Sequence, residues 1–138
     1  MSLSFPYKVV PANHAVVPLA GRWSRPQPRI LVSVIGPSST RPAEGRLDTG
    51  ADDTVFPEWF AGLIGVNLRN APIGQSTTAN RTQVTVRYAQ VSLRLTDGKE
   101  QREWPAWVGF SPAIHRPLFG FAGFLQFFAA TFHGDREE

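Results

Sequence analysis

Residues 47–56 read Leu47-Asp48-Thr49-Gly50-Ala51-Asp52-Asp53-Thr54-Val55-Phe56. An acid followed by Thr-Gly lies between two strand-like runs, so the Asp48 carboxylate is expected on a tight turn joining two strands. Upstream, residues 30–35 predict a strand, residues 36–43 a Pro/Ser loop, and residues 44–47 the run into the turn. Downstream, residues 54–56 leave the turn as strand.

The pattern further along is also one of short pieces, cut by twelve prolines and twelve glycines, which predicts an all-β barrel or sandwich with little helix. Pro57 and Glu58 suit the start of a short helix and Gly65 its end. Trp59, Phe60, Leu63 and Ile64 are expected in the core. Residues 84–95 alternate, first on Val84, Val86 and Tyr88, then on Val91, Leu93 and Leu95, so a bulge or kink near Ala89-Gln90 is expected to switch the phase. Thr96-Asp97-Gly98 reads as a hairpin turn, with the returning strand over about residues 101–108 and Trp104 and Trp107 on opposite faces. A Pro-broken loop over residues 111–117 then leads to Leu118-Phe119-Gly120. Residues 121–128 show a second helical pattern and residues 129–132 a last strand.

Composition narrows the function classes. A chain of 138 residues fits one ordinary domain. Its apolar fraction of 42% and charged fraction of 18% are globular, and no apolar run approaches the ~20 residues of a membrane span. With no cysteine and no secretory pattern in residues 1–10, the expected location is cytoplasmic, or within a larger precursor. Of the fourteen basic residues only Lys8 and Lys99 are lysines. Arg22, Arg25 and Arg29 cluster among prolines, a run that could touch phosphates. A net charge of +3 instead favours a solvated surface, and no nucleic-acid partner is expected. His14, His115 and His133 are isolated and fit no metal spacing. There is no Gly-x-Ser-x-Gly elbow and no phosphate loop, so neither metal nor cofactor is expected.

Three landmarks, in order, make the chain similar to the retropepsin-like aspartic proteases, the family of retroviral proteases and related cellular domains. Residues 47–55 resemble the family's active-site loop almost letter for letter. Tyr88-Ala89-Gln90-Val91-Ser92-Leu93 resembles the strand that follows the mobile flap. Leu118-Phe119-Gly120 resembles the apolar pair and glycine that pack beside the active-site loop. The likeness touches most of residues 26–132, which divides the chain into an N-terminal arm (1–25), a retropepsin-like domain (26–132) and a charged tail (133–138). Two departures stand out. Phe121 and Ala122 follow Gly120, where the family usually has an arginine, which braces the acid at the Asp52 position, and then a carboxylate or amide. The presumed flap, residues 74–85, has Thr77-Thr78-Ala79-Asn80 in place of a Gly-rich tip.

The resemblance implies an all-β, retropepsin-like closed barrel or sandwich with one or two short helices, a single domain active as a homodimer. It implies an aspartic endopeptidase that acts on extended peptides, with Asp48 as the catalytic acid. Asp-Thr-Gly occurs once, and the chemistry takes two carboxylates, so the second must come from a second copy. In this scheme Thr49 reaches across the dimer axis and Gly50 lets the backbone turn beside substrate. Ala51, Asp52 and Asp53 line the cleft, Leu118 walls a pocket, and Thr77, Thr78, Ala79 and Asn80 cover the substrate. Residues 129–132 join an intersubunit sheet. For Asp52 and Asp53 a structural turn network remains the alternative, and for Leu118 a core role. For the whole chain the alternative is a weak or inactive peptide-binding or dimerisation module of the same fold.

Overall fold

In the computed structural model, which describes residues 2–77 and 81–138, the described residues form nine strands and one α-helix. They are β1 (Lys8–Val16), β2 (Arg22–Gln27), β3 (Arg29–Ile35), β4 (Thr40–Leu47), β5 (Val55–Pro57), α1 (Glu58–Ile64), β6 (Ile73–Thr77), β7 (Gln83–Thr96), β8 (Gln101–Ser111) and β9 (Leu118–Phe119). β1 and β2 pair as a separate antiparallel ribbon. The other seven form one sheet in the order β3-β4-β9-β5-β8-β7-β6, and β3 also pairs with β7 through Ser33↔Arg94 to Ile35↔Ser92. That pairing closes six strands into a ring and leaves β6 outside it on β7. Closure removes most free edges, which is how a small all-β chain protects its backbone hydrogen-bonding groups.

The ring encloses an aromatic core. Phe56, Phe110 and Phe119 are fully buried, and Phe119 stacks on Phe124 with ring centroids 4.8 Å apart. Phe56 stacks on Phe60 of α1 at 5.3 Å. Trp104 is buried with its indole N–H donating to the Gly123 carbonyl at 2.9 Å. Trp107, three residues on and on the opposite face, is 56% exposed, as the alternation predicts.

Several elements depart from the sequence expectation. The 36–43 segment is a loop only at its start. β4 begins at Thr40 because it pairs residue for residue with β3, from Ile35↔Thr40 to Arg29↔Arg46, across a turn closed by Gly36 N–H to Ser39 O at 3.0 Å. β8 runs past Val108 to Ser111 because Gly109, Phe110 and Ser111 gain a parallel partner in β5. β7 carries no bulge at Ala89-Gln90, since its ladder with β8 is continuous from Arg87↔Phe110 to Thr96↔Gln101. The buried phase changes for another reason. The first half of β7 pairs with β6 and the second with β3, so twist over 14 residues turns opposite faces inward along its length.

α1 starts after Pro57 and ends at Gly65 in the left-handed conformation (φ 82°), as expected. Its seven residues show the core only one face, that of Phe60, Ala61 and Ile64. Trp59 and Leu63, four apart on the other face, are 66% and 43% exposed rather than buried. Residues 121–128 hold only a 3₁₀ turn, Leu125–Phe127. Helix is interrupted there by Gly123 at φ 89° and by the bridge that binds Ala122 to Asp53. Residues 129–132 form no strand. The chain end folds back on the N-terminal segment instead, with Tyr7 N–H to Glu137 O at 2.6 Å and an Arg22–Glu137 ion pair at 2.8 Å. None of the helices is long and apolar enough to cross a membrane among the described residues.

Candidate active site

The loop between β4 and β5 is built around Asp48. The side chain of this residue folds back so that Oδ1 accepts the Gly50 N–H at 2.9 Å, while the Asp48 carbonyl accepts the Ala51 N–H at 3.2 Å. These two local bonds define an Asx-type turn. The backbone at Gly50 is not in the left-handed region. At Gly50 a Cβ would lie 3.3 Å from Asp48 Oδ1, against the carboxylate.

The second half of the site comes from residues 118–122, which run alongside the loop. Leu118 and Phe119 pair in parallel with Arg46 and Leu47, and Leu118 also pairs with Val55. β9 is thereby wedged between the two strands that carry the loop. The main chain then holds the loop at four points. Asp48 N–H donates to Phe119 O (3.0 Å), Phe121 N–H to Ala51 O (2.9 Å), Ala122 N–H to Asp52 O (2.8 Å) and Thr54 N–H to Ala122 O (3.0 Å). Gly120 crosses so closely that a Cβ would fall on the Asp53 carbonyl and 2.6 Å from the Ala51 carbonyl. Its N–H donates to the hydroxyl oxygen of buried Thr54 at 3.3 Å.

Asp48, Ala51, Asp53 and Leu118 are half-buried along this loop, and Thr49, Gly50 and Asp52 are exposed. Asp53 is engaged within the chain: its Oδ2 accepts the Tyr88 hydroxyl at 2.9 Å. Burial, reinforced by the hydrogen bond to Asp53 and its charge, pushes the Tyr88 phenol up to about 12. Among the described residues the Asp52 side chain takes no hydrogen bond or ion pair. Phe121 is 61% exposed and donates its backbone N–H to the loop at Ala51 O. Thr77 ends β6 opposite Gln83, with no hydrogen bond to the 48–53 loop. Thr78, Ala79 and Asn80 lie outside the described residues.

Tyr88 and Ala122 are partners that motif reading misses, since each meets the loop only through contacts distant in sequence, as is the contact of Thr54 with Gly120 and Ala122. The tyrosine heads the second landmark, yet nothing local aims it at an acid 35 residues earlier. The arginines at 22, 25 and 29 do not make one surface. Arg22 is paired to Glu137, and along β2 it points opposite to Arg25. Two cavities flank the loop without including Asp48. One, of about 650 Å³, lies between the two chain ends and touches Leu47. The other, of about 530 Å³, touches Leu118.

The arrangement presents the half-buried Asp48 carboxylate on a loop held by main-chain hydrogen bonds. Such a group can take up or give a proton and hold a water by hydrogen bonding, which is the role of each acid in a two-acid hydrolytic site. The chain is similar in fold to a retropepsin-like aspartic protease from Rickettsia conorii, known from its crystal structure, with a TM-score of 0.51 and 15% sequence identity over 96% of this chain and 97% of that one. No protein-family model and no curated protein matches the chain.

Proposed function

We propose that the chain is one subunit of a homodimeric aspartic endopeptidase in which Asp48 from each copy forms the catalytic pair. The observation that carries this reading is the Asp48 loop itself. A carboxylate on an Asx turn, with its backbone tied to Phe119 and its loop tied to Phe121 and Ala122, is held far more rigidly than a surface turn acid requires. The retropepsin-like fold supplies the context.

In the dimer, two carboxylates about 3 Å apart cannot both ionise cheaply, so the pair retains one proton. The ionised member takes a proton from a water as that water attacks the scissile carbonyl carbon. The protonated member donates to the carbonyl oxygen, and proton return to the amide nitrogen lets the C–N bond break. Thr49, exposed at the loop tip, braces the paired loops across the axis. Ala51, Asp52 and Leu118 border the peptide, which binds extended through main-chain hydrogen bonds. Asp53, already held by Tyr88, shapes the loop more than it reads side chains.

The test is cleavage of a complex peptide mixture between about pH 3 and pH 8 by the wild-type protein and Asp48→Asn in parallel, with cut sites read by mass spectrometry. Defined cuts by wild type alone, fastest on the acid side, are expected. A folded dimer that cuts nothing would turn the reading to its alternative, a peptide-binding module. The unbraced Asp52 and the exposed Phe121 beside it favour that second reading, because they weaken the side-chain support of the loop.

A further inference from the structure

Beside Leu118 the sheet surface carries a concentration of positive charge that its own fold leaves unbalanced. Arg29 of β3 and Arg46 of β4 are directly opposite one another in the antiparallel ladder. Arg46 is in turn opposite Leu118 of β9, two residues beyond Arg116. Three arginines therefore line a cleft of about 530 Å³ together with Lys8 and Glu44. The one acid is already committed, since Lys8 Nζ meets both Glu44 carboxylate oxygens, at 2.8 and 3.1 Å. Arg29 spends its Nε on the Gln27 side-chain carbonyl at 2.7 Å. Among the described residues the side chains of Arg46 and Arg116 have no hydrogen bond and no ion pair.

Like charges directly across a ladder are unfavourable, and the acid in the cleft, Glu44, is already engaged by Lys8. Glycine lets the third arginine's segment come close: at Gly45 a Cβ would lie 2.7 Å from Pro117 O and 2.9 Å from the Phe119 ring, so residues 116–118 pack directly against β4. The cleft also adjoins the site. Arg46 is two residues before Asp48, a separation of roughly 7 Å along a strand, and Leu118 belongs to both cleft and loop border.

We propose that this cleft binds the carboxylate of an acidic side chain in the bound peptide, so that the preferred substrates carry a Glu or Asp within a few residues of the cut. The peptide as occupant rests on the peptidase reading above, and the anion preference rests on the arginines. A planar guanidinium pair suits a carboxylate better than a lysine would, because its donors match both oxygens.

The experiment measures binding of short labelled peptides to the Asp48→Asn protein by fluorescence anisotropy at about pH 7, where glutamate is ionised. Each peptide has an apolar centre and either Glu or Gln at one flanking position, and the position is scanned. At one or more positions the Glu peptide is expected to bind about tenfold more tightly. The preference should shrink in high salt and vanish in Arg46→Gln and Arg116→Gln, both exposed enough to leave folding intact. Equal affinity for Glu and Gln peptides at every position would overturn the inference, as would a preference that survives both substitutions. So would a single-stranded oligonucleotide that binds the same arginines while the Glu/Gln pair does not differ. Wild-type cleavage of both peptides at equal rates would leave the peptidase and remove the acid preference. Glu-selective binding without any cleavage would keep the preference and remove the peptidase.

Discussion

Gly120→Ala tests whether the 118–122 crossing holds the Asp48 loop. The added methyl would overlap the Asp53 carbonyl and sit 2.6 Å from the Ala51 carbonyl, where ordinary contact begins at 3.4 Å. Both obstacles are backbone, so no side-chain rotation relieves them, and one segment must retreat by close to an ångström. Three hydrogen bonds of 2.8–3.0 Å span that gap: Phe121 to Ala51, Ala122 to Asp52 and Thr54 to Ala122. Lengthened by that amount, they leave hydrogen-bonding range. Losing them costs about 1 kcal/mol each, and the alternative of forcing the methyl in costs about 1–3 kcal/mol. Partial relaxation along both routes gives an expected loss of about 2–3 kcal/mol, a drop in melting temperature on the order of 5–10 °C. Urea unfolding followed by tryptophan fluorescence reads the stability. Peptide cleavage below the new melting point should fall further than the folded fraction, because Asp48 is tied to Phe119 next door. Gly62→Ala is the matched control. It lies in α1 with nothing within 4 Å of a Cβ, and should stabilise by about 0.5–1 kcal/mol. A Gly120→Ala loss below about 1 kcal/mol would refute the crossing as a tight brace.

The Tyr88 phenol supplies a pH prediction. Its folded value of about 12 lies above the ordinary 10.0, so the unfolded chain ionises first and stability falls as pH rises from about 10 to 12. Urea midpoints across that range should fall more steeply in wild type than in Tyr88→Phe, and phenolate absorbance should lose its late step in the variant, with Tyr7 alone left to titrate. Phe119→Ala empties a fully buried position stacked on Phe124, and should cost about 3–5 kcal/mol by chemical denaturation. Trp104→Phe keeps the apolar packing but orphans the Gly123 carbonyl. A loss of about 1–3 kcal/mol is expected, and an unchanged urea midpoint would show that water replaces the indole there.

Residues 47–56 determine their own turn because its bonds are local: Asp48 reaches Gly50, and Ala51 reaches back to Asp48. The same is true of α1, framed by Pro57 and Gly65, and of the hairpin at Asp97, whose Oδ1 accepts from Lys99 and Glu100. Strand β3 is legible for a related reason, since a short run rich in β-branched residues, bounded by Pro28 and Gly36, suits a strand. Where partners lie far apart in the chain, propensity lost its hold. The aromatic run from Phe121 to Phe128 has a helical spacing, yet its backbone is committed to Ala51, Asp52 and Thr54 and its rings to Trp104 and Phe119. The phase change in β7 looks like a bulge until its two neighbours, β6 and β3, are both known. Tyr88 on Asp53 and the opposed Arg29 and Arg46 likewise exist only once the ladders are in register. Sequence alone thus determined the chemistry on offer, an acid on a tight turn between strands, because short-range bonds set it. Tertiary structure decided how that acid is held and what surrounds it, because those contacts depend on closing the barrel.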